Sequence, residues 1–145
     1  MPRNSKDFMF DRELLLKDTG AVTATGTGTV AGAARVVDLG PGRADFRAIC
    51  DVSAIDTVTG DESYVLQVQG SNVANFASGV VALASKQLGG ATPTGNTANT
   101  PAGRFEIHGS NEENGVTYRF VRIRHVVAGT TPSINYTAFL AVQAN

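Results

Sequence analysis

The chain holds one cysteine, no tryptophan, two histidines and two methionines among 145 residues. The single cysteine, Cys50, excludes an intrachain disulfide and a cysteine metal cluster. Missing tryptophan, with tyrosine limited to Tyr64, Tyr118 and Tyr136, argues against a sugar-binding platform. Charge is scarce as well: 17% of residues are charged, against roughly 25% in ordinary soluble domains. Twelve basic and 13 acidic residues leave a net charge of −1, so no strong field favours nucleic acid or an anionic membrane. Long hydrophobic runs are absent too. The uncharged stretch Ser63 to Ser85 is broken by Gln67, Gln69, Ser71, Asn72 and Asn75, which excludes a membrane span there. The first residues mix charges with no apolar stretch of signal-peptide length, so synthesis in the cytoplasm is expected.

Small residues are abundant. Gly (16), Ala (19) and Thr (15) supply about a third of the chain. Hydrophobic residues still reach 42%, enough for a core and inconsistent with a disordered composition. The length suits a single domain, which we place at residues 13–145 behind an arm of residues 1–12. The arm carries Phe8, Met9 and Phe10 among charges, and exposed aromatics on an arm need a surface to dock on. It is expected to enter a first strand in the Leu14–Leu16 run.

Thr19 to Ala34 is almost wholly Gly, Ala, Thr and Val and reads as an irregular loop with short strand pieces. Its Thr25–Gly32 stretch has glycines, but neither a preceding buried strand nor a following helix, so a phosphate loop is not favoured. Val36, Val37 and Leu39 form a short strand ending at Gly40-Pro41-Gly42. Arg43 to Ile55 alternates, with Ala44, Phe46, Ala48, Cys50, Val52 and Ala54 on one face. A turn at Thr59-Gly60-Asp61 leads to a strand over Tyr64 to Gln69. A single helical turn is expected around Val73–Phe76, then a strand over Val80 to Ala84. Gln87 to Gly103 carries no charge and is rich in Gly, Thr and Asn, the signature of a long functional or mobile loop. Arg104 to His108 is a short strand, Gly109 to Gly115 a polar turn, Val116 to Val127 the longest strand and Ile134 to Val142 the last. Seven to nine strands at near-regular spacing, with almost no helical pattern, predict an all-β antiparallel sandwich or barrel.

The residues that could carry chemistry are few. His108 is expected beside Glu112 and Glu113, too few ligands for a metal site. The Asp56–Glu62 and Asn111–Asn114 stretches gather oxygen ligands, but without EF-hand spacing, and Asn, Asp and Gly are what tight turns need. Cys50 is in phase with the apolar face of its strand and reads as core. The acidic residues offer no spacing that singles out a hydrolytic pair. Arg outnumbers Lys nine to three. Alternation puts Arg122 and Arg124 on one strand face and Arg119 on the other, where a strand end, a bulge or a paired charge is required. These arginines read as interface or structural ion-pair residues. A binding or assembly module, with no cofactor and no metal, is expected rather than an enzyme.

Several stretches in order carry a likeness to a known family. They are Glu13-Leu14-Leu15-Leu16-Lys17-Asp18 with Val36-Val37-Asp38-Leu39-Gly40; Tyr64-Val65-Leu66-Gln67-Val68-Gln69-Gly70-Ser71 with Asn75-Phe76-Ala77-Ser78-Gly79; and Tyr118-Arg119-Phe120-Val121-Arg122-Ile123-Arg124 with Gly129-Thr130-Thr131-Pro132-Ser133 and Tyr136-Thr137-Ala138-Phe139-Leu140. Together they resemble the small jelly-roll cement, or decoration, proteins of tailed bacteriophage capsids, of the type known from a Bordetella short-tailed phage. The Gln87–Gly103 loop departs from that pattern by its length. The resemblance implies a jelly-roll-like sandwich on the outer surface of an assembled virion shell. Its partners are the major capsid protein and a second copy of itself, as a homodimer or else a trimer, with no direct contact to nucleic acid or membrane. A receptor- or carbohydrate-binding jelly roll and a small hydrolase are the alternatives. The expected shell and subunit contacts are Arg3, Lys6, Phe8, Phe10 and Arg12 in the arm, Thr94, Asn96 and Asn99 in the long loop, and Arg122 and Arg124.

Overall fold

The computed structural model describes residues 11–90 and 100–144. A short 3-10 turn, Arg12–Leu14, opens the described chain. The strands that follow are β1 (Leu15–Lys17), β2 (Ala21–Val22), β3 (Gly26–Thr27), β4 (Thr29–Val30), β5 (Ala33–Ala34), β6 (Val37–Asp38), β7 (Ala44–Ile55), β8 (Ser63–Ser71), β9 (Val81–Gly89), β10 (Gly103–Ser110), β11 (Glu112–Glu113), β12 (Val116–Thr117), β13 (Phe120–Ala128) and β14 (Ile134–Ala144). Two antiparallel sheets pack face to face as a β-sandwich. One runs β1-β14-β7-β10, with β2 also on β14; the other runs β3-β13-β8-β9, with β6 also on β13. We call them the β7 sheet and the β8 sheet. Late strands lie inside early ones: β14 between β1 and β7, β13 between β3 and β8. Among the long strands only β8 and β9 are consecutive neighbours; the other connections cross between sheets.

The alternation that builds these strands is the one the sequence displays. On β7, Ala44, Phe46, Ala48, Cys50 and Val52 are buried, and the last four join Tyr64, Leu66 and Val68 of β8 and Val121 and Ile123 of β13 in one core. Ala54 breaks the expected phase and is exposed. Val52 pairs with Tyr136 and Ala54 with Asn135, so a bulge at Ser53 takes up one extra residue and turns Ile55 towards the core. Other expectations shift for similar local reasons. The Val116–Val127 strand is broken at Tyr118-Arg119, and β7, with 12 residues, is the longest. The strand expected to end at Ala84 runs on to Gly89 because Gln87 and Leu88 pair with Val65 and Tyr64. Around Val73–Phe76 the chain makes a turn instead of a helix, closed by Phe76 N–H to the Val73 carbonyl (2.9 Å). Phe76 takes φ 56° there, which ends any right-handed coil.

The two open sides of the sandwich close differently. At one, Gly109 of β10 lies against β9, where an added Cβ would come within 3.1 Å of Ala84 Cβ. At the other, Gly28 between β3 and β4 is wedged between Leu16 of β1 and Ile123 of β13. Its N–H donates to the Ile123 carbonyl (2.9 Å), and an added Cβ would overlap the Leu16 carbonyl oxygen and stand 2.6 Å from Ile123 Cγ2. Glycine is required at that contact because two backbones meet there. The turn from β11 to β12 is Asn114-Gly115, both with positive φ (52° and 78°), the geometry a two-residue hairpin needs.

Candidate interaction surfaces

The outer face of the β7 sheet is charged but compensated. Arg104 on β10 sits across the ladder from Asp51 and grips it with two nitrogens, at 2.6 and 2.9 Å. Arg47 reaches Glu106 (3.5 Å), and Arg43 reaches both Asp45 (3.1 Å) and Glu112 (3.0 Å). His108 lies 3.1 Å from Glu106, its neighbour two positions back, and not beside Glu112 and Glu113 as expected, because the strand continues to Ser110 and sends alternate side chains out. Beside this lattice Leu15, Ile49 and Phe139 form a second apolar cluster with Val30 against it. A groove of about 510 Å³ runs between Leu15, Phe139 and the Asp51–Arg104 pair.

Arg119 shows why an arginine stands at the edge of an apolar phase. It precedes β13 and holds Asp38 with two nitrogens (2.7 and 2.9 Å), which lowers the Asp38 carboxyl below its usual range. The strand-end and paired-charge options both apply.

On the outer face of the β8 sheet, Arg122 and Arg124 stand together, two positions apart on β13, about 7 Å along the strand. Arg122 donates from Nε to Gln69 Oε1 (2.9 Å), and its guanidinium lies over the Phe76 ring at 4.3 Å. Gln69 in turn donates to Gln67 (3.4 Å). Burial, and then the like charge of Arg124, push the Arg122 pKa down from its ordinary value. No carboxylate lies within ion-pair distance of either arginine among the described residues, whereas Arg43, Arg47, Arg104 and Arg119 each have one.

The oxygen-rich turns hold their own backbone. Asp56 Oδ1 accepts from Val58 N–H (3.0 Å), Glu62 accepts from Gly60 (3.0 Å) and Thr59 (3.3 Å), and Asp61 takes both donors of Thr130. Asn111 is fully buried. It accepts from Ala44 N–H (2.9 Å) and donates to the carbonyls of Gly42 and Tyr118 (3.0 Å each). Among the described residues no three His, Cys, Asp or Glu side chains gather closely enough to hold a metal ion.

A scan against protein-family models found no match, and a search of curated proteins found no significant relative. The chain's own geometry therefore carries the functional reading.

Of the residues expected at an interface, Arg3, Lys6, Phe8, Phe10, Thr94, Asn96 and Asn99 lie outside the described residues. Arg12 is exposed, and its carbonyl accepts from Arg35 (3.1 Å), which also holds the carbonyls of Glu13 and Leu15. Arg122 and Arg124 are the two that the fold brings together. Three features escaped the sequence. Gln69 and Phe76 brace Arg122, and only the adjacent placement of β8 and β13 makes that visible. The third is internal. Lys17 is buried, with Nζ donating to the carbonyls of Asp18 (2.9 Å), Gly20 (2.9 Å) and Tyr136 (2.7 Å). The same ammonium lies 4.5 Å from the Tyr136 ring centre, and the Tyr136 hydroxyl meets His125 Nδ1 at 2.7 Å. Burial depresses the Lys17 pKa and raises that of Tyr136. Burial, with Lys17 and Arg124 adding repulsion, lowers His125 to about 4. Cys50 is buried in the core and its thiol is pushed up to about 12 by desolvation, consistent with a packing role.

Proposed function

We propose that this protein is a capsid decoration protein that binds the outer surface of an assembled phage shell and braces the junctions between capsomers. The strand order is the observation that carries the reading. Counting β3 to β6 as one position and setting aside β2 and the separate β11–β12 hairpin, eight positions interleave as first-eighth-third-sixth and second-seventh-fourth-fifth. We read that order as a jelly roll, the fold the resemblance of the ordered strand and turn motifs implies. Interleaving suits a brace, because outer strands are held by strands from the other end of the chain, so a pull on one edge is shared by both sheets. Many copies on a symmetric shell let modest contacts sum. The protein acts as a homo-oligomer, with an isologous dimer as the default arrangement.

Co-sedimentation with purified expanded shells, unexpanded shells and free coat protein tests this. Saturable binding to expanded shells at a fixed ratio to coat subunits is expected. Absence of binding to every shell form, together with specific retention on a glycan array, would replace the decoration reading with a carbohydrate-binding one.

A further inference from the structure

We propose that the outer face of the β8 sheet docks onto a carboxylate-bearing protein surface, with Arg122 and Arg124 as paired anchors. The proposal rests on the decoration reading for the identity of that surface, the coat subunit.

The argument starts from charge. Arg43, Arg47, Arg104 and Arg119 are each neutralised by an acid of the same chain, three of them on the outer face of the β7 sheet. Arg122 and Arg124 are set side by side with none among the described residues. Two like charges on adjacent same-face positions, about 7 Å apart along the strand, repel. A carboxylate placed between them relieves that repulsion. Across the ladder the neighbours are neutral and polar: Gln69 faces Arg122, Gln67 faces Arg124, and Ser85 follows Gln67. Gln69 is itself buried, so the groups left to a partner beside the two cations are Gln67, half-buried, and Ser85, exposed.

Preorganisation adds to it. Gln69 fixes the Arg122 Nε and the Phe76 ring lies 4.3 Å from the guanidinium carbon, so little side-chain freedom remains to be lost on docking. The terminal nitrogens of Arg122 have no acceptor among the described residues, and a planar fork with free donors matches a carboxylate. Nucleic acid fits less well. Phe76, the aromatic beside the pair, is buried beneath Arg122 and offers no free face for a base.

The test compares the full chain with Arg122→Gln/Arg124→Gln, with Arg124→Gln alone, and with the charge-matched control Arg43→Gln/Arg47→Gln. The Arg124 side chain makes no hydrogen bond or ion pair among the described residues, and its backbone pairing with Gln67 and Thr27 is untouched by the substitution, so the single variant should keep the fold. On expanded shells the double variant should lose about thirtyfold in affinity, the loss of a hot-spot arginine, and Arg124→Gln a smaller part of it. The control should stay within about twofold. Wild-type binding in the Arg122/Arg124 variants overturns the proposal and leaves the decoration reading standing. If the full chain binds no shell, the decoration reading falls, and poly-L-glutamate and a single-stranded oligodeoxynucleotide become the probes. Retention on poly-L-glutamate that the double variant loses keeps the proposal. Equal retention of both proteins, or tighter binding of the oligodeoxynucleotide, overturns it.

Discussion

Acidification should weaken this sandwich from the inside, through His125. Its ring is 3% exposed, its Nδ1 is bound to the Tyr136 hydroxyl, and the Lys17 ammonium stacks on the same tyrosine. A second positive charge there would be buried beside that ammonium, with no carboxylate at ion-pair distance among the described residues. The folded pKa of about 4 compares with 6.5 for the free side chain. Between these values the unfolded chain binds a proton that the folded chain refuses, so stability falls as the pH drops through the window. Above pH 6.5 the contribution is fully present. Integrating the difference gives a loss of about 2 kcal/mol at pH 5 and about 3 kcal/mol at pH 4, at 1.36 kcal/mol per unit. Carboxylates such as Asp38 and Asp61, whose pKa values are lowered by Arg119 and Thr130, add losses at still lower pH. Urea unfolding at a series of pH values, on the native chain and on His125→Asn, separates the histidine from the acids. The variant keeps a polar partner for Tyr136 but cannot titrate. Its stability should decline less between pH 7 and 5, by about 2 kcal/mol. Parallel curves would refute the reasoning, as would a resonance assigned to the His125 imidazole that titrates near 6.5 in the folded protein.

Two further outcomes follow from single contacts. Gly28→Ala should cost about 3 kcal/mol or more by overpacking, since its Cβ would overlap the Leu16 carbonyl and crowd Ile123; an unchanged melting temperature would show that the two sheets part there easily. Asn111→Ala should cost at least about 2 kcal/mol in urea unfolding, because it strands a buried N–H of Ala44 and two carbonyls, and a near-neutral result would mean that water replaces the amide.

The legible parts of the molecule were those written at period two. Ala44 to Val52 and Ile134 to Leu140 alternate in the sequence and do so in the fold, and Cys50 lies in the core where its phase puts it. Gly40-Pro41-Gly42 and Asn114-Gly115 mark real turns because their backbone angles demand those residues. What the sequence hid depends on partners far along the chain. The Leu14-Leu15-Leu16-Lys17 run ends in a lysine that resembles a strand terminus; its burial needs the Tyr136 carbonyl, 119 positions away. The break at Tyr118-Arg119 needs Asn111 to hold Tyr118 and Asp38 to hold Arg119. At the candidate surface, phase alone paired Arg122 with Arg124, but that neither meets an acid could be known only once β8 and its glutamines were seen beside them.

The interleaving also sets a timetable for the nascent chain. β1 finds its neighbour in β14, and β3 and β6 find theirs in β13, so these early strands wait for the late ones. Until Tyr136 has been made, Lys17 has no interior acceptor and stays hydrated, and Leu16 has no sheet to join. The β8–β9 hairpin is the pairing of long strands that can form early. Such a pattern of distant pairings makes folding slow and delays it until β14 has been made. A sandwich built this way holds together only as a finished piece.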